Sequence, residues 1–151
     1  MSNADLRVRR PDKHETLIQA LKDDAGFPAL RDVLVYSAVI GFEQGRRLPF
    51  DKSGEPIRYD ILLGSPYAET IVNMLAATCH PDDAEILDDS RLGERIRIFE
   101  EFANGGLEFL QGQINTQYGS RDDLIRSLVT DALVDTEVPG PIGNMDLTAG
   151  L

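Results

Sequence analysis

The chain has 151 residues, a formal net charge of −11, 42% hydrophobic residues and a single cysteine, Cys79. This is enough chain for one domain to bury a core without staples. One cysteine excludes an internal disulfide and a cysteine-rich metal site, and no run reaches the roughly 20 apolar residues of a membrane span. The polar N-terminus does not read as a signal peptide, so the expected location is the cytoplasm. The charge is unevenly placed. Residues through Leu63 carry ten Lys/Arg and ten Asp/Glu, whereas the rest carries five Arg and sixteen Asp/Glu. The acidic half favours solubility and repels nucleic acid. The concentrated basic patch lies at the N-terminal edge, in Arg7, Arg9, Arg10 and Lys13, with Arg46-Arg47 as a smaller second one.

In chain order, Leu6-Arg7-Val8-Arg9-Arg10 alternates apolar and basic residues. This period predicts a short strand with Leu6 and Val8 on one face and Arg7 and Arg9 on the other. Pro11 ends it. Asp12, with Glu15 three residues on, predicts a capped helix to about Asp24 whose apolar face holds Leu17, Ile18 and Leu21. Ala25-Gly26-Phe27-Pro28 is a turn, with Phe27 as a core plug. A central helix follows from about Pro28 to Gln44. Its run from Val33 to Phe42 is hydrophobic on most sides and must be covered on most sides. Gly45 suits the left-handed end of that helix. Strand, helix, turn, helix is the order of a ribbon–helix–helix module, in which two copies pair strands and insert them into the DNA major groove. The bland alternative is an edge strand whose arginines only oppose aggregation.

Leu48 to Leu63 reads as a loop, with a turn at Asp51–Pro56 and a short strand or extended cover from Ile57 to Leu63. Ser65, with Pro66 behind it, predicts the cap of a helix that ends near Cys79. Asp82-Asp83-Ala84-Glu85 predicts a short helix to Leu87, and Asp88-Asp89-Ser90 the cap of a long one. In the long helix Leu92, Ile96, Phe99, Ala103, Leu107, Leu110 and Ile114 form an apolar stripe. Arg91, Glu94, Arg95, Glu100 and Glu101 fall on the opposite face. Gly105 and Gly106 each cost about 1 kcal/mol in a helix interior, so a break is expected at Asn104-Gly105-Gly106. The expected organisation is a mainly helical domain over residues 1–118, a C-terminal helix over 119–138 and a flexible tail over 139–151.

Little in the chain carries chemistry. His14, placed at an exposed helix start, has no second histidine nearby. Cys79-His80 are neighbours without a third orienting group. The acids from Asp82 to Asp89 lack the alternating pattern and central glycine of a calcium loop and are better read as helix caps. Glu100, Glu101 and Glu108 argue against phosphate at Asn104-Gly105-Gly106. No phosphate-binding, dinucleotide, nucleophile-elbow or zinc-protease motif occurs. The residues therefore point to a non-enzymatic protein with no catalytic residue, cofactor or metal.

Three stretches carry a family resemblance. They are Arg9-Arg10-Pro11-Asp12-Lys13 leading to Asp32–Phe42, then Gly54-Glu55-Pro56-Ile57-Arg58, then Ile98-Phe99-Glu100-Glu101-Phe102-Ala103-Asn104-Gly105-Gly106-Leu107-Glu108. Together they resemble the small accessory proteins named as DNA phosphorothioation (dnd) system-associated proteins. The resemblance implies a defence context in which DNA carries sulfur in its backbone and companion proteins modify or restrict it. It implies DNA or a DNA-bound complex as partner, and supplies no catalytic residue. The resulting expectation is a mainly α fold, a short N-terminal strand followed by a helical domain with a ribbon–helix–helix-like N-terminal part, forming a homodimer away from membranes. Arg7, Arg9, Arg10 and Lys13 would contact DNA, supported by Arg46 and Arg47. The alternative is an adaptor that docks its acidic C-terminal half on a DNA-processing protein.

Overall fold

Two helices that cross at glycines form the centre of the fold. They are α2 (Leu30–Glu43) and α5 (Leu92–Thr116). The structure is a computed structural model and describes residues 5–116 and Arg126; the C-terminal helix and tail expected beyond residue 118 otherwise lie outside the described residues. Helix α2 buries Val33, Leu34, Val35, Ser37, Ala38, Ile40 and Gly41, as a helix hydrophobic on most sides must. It ends at Glu43, with Gln44 as its cap and Gly45 next, in the left-handed region at φ +66°, where glycine meets no Cβ penalty.

Helix α5 is continuous over 25 residues, so the break expected at Asn104–Gly106 does not occur. The reason is tertiary. A Cβ on Gly106 would overlap the backbone carbonyl of Ser37, one on Gly41 the carbonyl of Phe102, and one on Gly105 the carbonyl of Arg46. The glycines are where the two backbones touch. The packing gained there offsets the roughly 1 kcal/mol per glycine of lost helix propensity.

The remaining elements cover this pair. Helix α1 (Glu15–Asp24) contributes Leu17, Ile18 and Leu21. The single turn α3 (Tyr59–Leu62) contributes Tyr59 and Leu62. Helix α4 (Ala68–Cys79) contributes Ala68, Val72, Leu75 and Ala76. Phe27 is partly buried against the core, its ring 5.4 Å from that of Tyr36. The stripe expected on α5 is buried from Leu92 through Leu110, with Ile114 partly buried. Among the described residues no helix is long and apolar enough to cross a membrane.

The fold is mainly helical with one small sheet. Strand β1 (Arg7–Val8) pairs antiparallel with β2 (Ile57–Arg58) of the same chain, Arg7 opposite Arg58 and Val8 opposite Ile57. The pairing extends on both sides: Tyr59 N–H donates to the Leu6 carbonyl at 2.9 Å, Gly54 N–H to Arg10 at 2.9 Å and Asp12 N–H to Lys52 at 3.0 Å. The expected order of strand, helix and helix is present, and the segment from Lys52 to Tyr59 lies along the strand as its intramolecular partner.

Three local expectations are corrected. A 3₁₀ turn, Asp12–His14, precedes α1 and no side chain caps it; Glu15 pairs with Arg10 instead. That tight turn brings His14 inward to 6% exposure rather than leaving it at the surface. Ser65 does not cap α4. Its hydroxyl donates to Asp32 Oδ1 at 2.7 Å, and the residue before the helix is Tyr67, in the left-handed region at φ 62°.

Candidate interaction surfaces

The basic N-terminal segment is largely bound to the protein's own acids. Arg7 is exposed on the outward side of β1, whereas Val8 is fully buried. Arg9 turns towards α5 instead of standing beside Arg7. Its backbone N–H donates to Glu100 Oε2 at 2.6 Å and its Nε to Glu100 Oε1 at 3.0 Å. Its guanidinium also donates to the Phe50 carbonyl at 3.3 Å and lies 4.5 Å from the centroid of the Phe50 ring. Glu100 is 3% exposed. Burial pushes its carboxyl above the ordinary range, against the opposing pull of the Arg9 hydrogen bonds and charge.

The other candidates follow the same pattern. Arg10 is buried and pairs with Glu15 at 3.1 Å. Lys13 reaches Glu108 at 3.1 Å, an exposed pair that stabilises little. Arg47 donates to Glu101 Oε1 at 2.8 Å, and Glu101 is buried. Arg46 is exposed, with its guanidinium 5.5 Å from the Phe109 ring centroid. Three of these pairs, from Arg9, Lys13 and Arg47, tie the basic half to acids of α5. The structure thus brings the two charge halves together, and Arg9, Lys13, Arg46 and Arg47 all meet residues 100–109 of α5.

Between the N-terminal arm and the loop after α2 lies a cleft of about 550 Å³, walled by Pro11, Pro49 and Phe50 with Lys13 and Lys52 among its polar residues. Asn104 also lines it. The Asn104 amide donates to the Leu48 carbonyl at 2.9 Å, while the Leu48 N–H donates to the Glu101 carbonyl at 3.0 Å. These bonds fasten the loop to α5 and explain why a polar residue is buried at the middle of that helix.

Sequence periodicity placed Glu100, Glu101 and Arg95 on the solvent face of α5; all three are buried. Arg95 donates to the carbonyls of Ile86 and Asp88, both at 2.7 Å. The available signal was the apolar flanks: Ile98-Phe99 precedes the two acids and Phe102-Ala103 follows them. A helix covered on most sides there buries its acids only with cations in reach, and Arg9 and Arg47 supply them.

The third surface runs from α3 to the start of α5. The segment from Tyr59 to Glu94 holds Asp60, Glu69, Asp82, Asp83, Glu85, Asp88, Asp89 and Glu94, with Arg91 as its one Lys or Arg; from outside the segment, Arg58 pairs with Asp60 and the Arg31 guanidinium lies beside Gly64. Arg91 is taken by Asp83 at 2.7 Å and Glu94 at 2.8 Å, and its hydrogen bonds hold both carboxyls below the ordinary carboxylate range. Asp88 caps the 3₁₀ turn Asp89–Arg91 by accepting from Ser90 N–H at 3.2 Å, in line with the expected cap. The same surface exposes Tyr67, Met74 and Leu87.

A family model described as DNA sulphur modification system-associated protein 4 matches residues 7–139, a span that includes every helix and strand of the described residues except what precedes Arg7. No curated protein and no solved structure matches the chain.

Proposed function

The chain belongs to the family of DNA sulphur modification system-associated protein 4, and from that premise we propose that it serves its system as a non-catalytic adaptor that binds a companion protein. The observation that carries this reading is the commitment of Arg9 and Arg47 to Glu100 and Glu101. To neutralise DNA phosphates, Arg9 would have to leave a carboxylate that is 3% exposed. An ionised carboxylate left buried without its partner is costly. The intramolecular partner of β1 supports the same reading, because the strand already has a neighbour and needs no second copy to complete it.

The rival reading is direct DNA binding through Arg7, Arg9, Arg10, Lys13, Arg46 and Arg47. One experiment separates the two. The purified chain is titrated against each protein of the sulphur-modification system, and against plain and phosphorothioate-bearing duplex DNA across a salt series, with light scattering to report the assembly formed. The adaptor reading expects saturable binding to a companion protein and weak DNA binding. Tight, steeply salt-dependent DNA binding that Arg7→Ala with Arg9→Ala abolishes would overturn it.

A further inference from the structure

Exposed apolar side chains are ordinary when scattered singly. On α4 they are aligned. Ile71 and Met74, three residues apart, share one side of the helix, and Tyr67 stands immediately before its N-terminal end. That side is away from the helix's buried residues, Ala68, Val72, Leu75 and Ala76. Tyr67 is 80% exposed and Met74 56% exposed, while Ile71 is partly buried at their base. Thr78, one turn beyond Met74, donates its hydroxyl to the Met74 carbonyl at 2.8 Å, which removes a polar group from the stripe.

Tyr67 adds a second observation. Among the described residues it is the one non-glycine residue with positive φ. That conformation costs a side-chain-bearing residue roughly 1–2 kcal/mol. With so much of its surface exposed, the ring recovers little of this cost through packing in the isolated chain. A tyrosine held out in this way has the form of an interface anchor, since tyrosine supplies large contact area at low entropy cost.

The surroundings define what fits. The 3₁₀ turn Ala84–Leu87 packs against α4 with Leu87 exposed between Glu85 and Asp88. No ion pair is formed by Asp82, Glu85 or Asp89 with any described residue at contact distance. The surface is therefore an apolar stripe beside unneutralised acids. We propose that this face of α4 is the docking surface for a basic, amphipathic segment of a partner protein, whose apolar side chains pack on Tyr67, Ile71 and Met74 and whose Lys/Arg residues meet the surrounding acids. The inference rests on the adaptor reading and gives it a location and a partner chemistry.

The test uses the full chain and two probes: a short amphipathic helical peptide of lysine and leucine, and its counterpart with glutamate in place of lysine. Binding is followed by calorimetry and by amide chemical shifts. The expected result is saturable binding of the lysine peptide alone, with shifts centred on Tyr67, Ile71 and Met74. Tyr67→Ser with Met74→Ser should weaken it by about tenfold or more, and Glu85→Lys with Asp89→Lys should weaken it and flatten its salt dependence. Equal binding of the two peptides, shifts away from α4, or undiminished affinity in the Tyr67/Met74 variant would overturn the proposal. So would self-association of the parent chain that this variant abolishes, because the face would then join two copies. A companion protein that binds parent and variant equally would remove this location while leaving the adaptor reading standing. Binding of no companion protein would remove the adaptor reading itself.

Discussion

Gly106 of α5 lies directly against Ser37 of α2, so closely that a Cβ on the glycine would overlap the serine carbonyl oxygen and stand 2.9 Å from the Gly41 nitrogen. The obstruction is backbone on both counts, and it cannot swing aside as a side-chain tip can. Elsewhere in a helix interior, Gly→Ala gains about 1 kcal/mol. Here the alanine must push the two helices apart, at a cost of about 1–3 kcal/mol or more from overpacking. Gly106→Ala should therefore lower stability by about 2 kcal/mol. Gly112, on the same helix with nothing within 4 Å of its Cβ position, is the control, and Gly112→Ala should raise stability by up to about 1 kcal/mol. Urea unfolding of the two variants beside the parent measures both. Equal effects of the same sign would mean that the contact of α2 with α5 does not decide the outcome.

The pair of Arg9 and Glu100 makes a second prediction. Glu100 has a carboxyl already raised by burial, and Arg9 is its charged partner at 3.0 Å. Arg9→Ala removes the guanidinium and leaves the carboxylate buried, which should cost about 2–3 kcal/mol at neutral pH. The folded-state pKa of Glu100 then rises further above its unfolded value. A raised carboxyl stabilises the fold in its protonated form, so this contribution is present below the unfolded pKa and is lost as pH rises through the folded one. The loss caused by Arg9→Ala should accordingly shrink in mild acid. Unfolding midpoints of parent and variant across the acid range test this; a difference independent of pH would show that Glu100 does not carry the effect.

The helical class, the strand–helix–helix order, the central apolar helix and the stripe on α5 were legible because each follows from local periodicity. The continuity of α5 was not, because Gly105 and Gly106 weaken a helix taken alone and are justified only by Ser37 and Arg46 from elsewhere in the chain. The same holds for the candidate residues. Arg7 and Arg9 alternate in sequence, yet Arg9 turns to Glu100, 91 residues away, and only the folded chain brings those charges together. Tyr67 escaped notice for a related reason: Ser65-Pro66 has the spelling of a helix start, but Ser65 is bound to Asp32 and the start moves to Tyr67. The family resemblance carried by the stretches between Arg9 and Glu108 agrees with the matched family over residues 7–139.

Tyr67→Gly separates anchoring from stability. Glycine reaches the left-handed region without the Cβ penalty, which relieves roughly 1–2 kcal/mol. Its extra unfolded-state freedom takes back about 0.5–1 kcal/mol. The exposed ring contributes little packing of its own. The variant should be as stable as the parent or up to about 1 kcal/mol more stable, as read by thermal or urea unfolding. A loss of more than about 1 kcal/mol would mean that the ring packs on the fold in solution, which removes the case for holding it ready for a partner.

His14 predicts a pH dependence of its own. Burial lowers its pKa below the ordinary 6.5, Lys13 beside it lowers it further, and Glu108 opposes both. The unfolded chain therefore binds this proton at a higher pH than the folded one does. Stability from a neutral His14 is fully present above the unfolded value and is lost as pH falls from 6.5 through the lowered folded value. Its buried Nε2 has no hydrogen-bond partner among the described residues, so no acceptor holds the extra proton in place. His14→Gln cannot titrate, and its unfolding midpoint should change less than the parent's across this window. Glu108→Gln should do the reverse, because removing the one charge that favours protonation lowers the folded pKa again and steepens the loss. Urea unfolding at closely spaced pH values measures all three chains, and parallel profiles would assign the parent's acid sensitivity to groups other than His14.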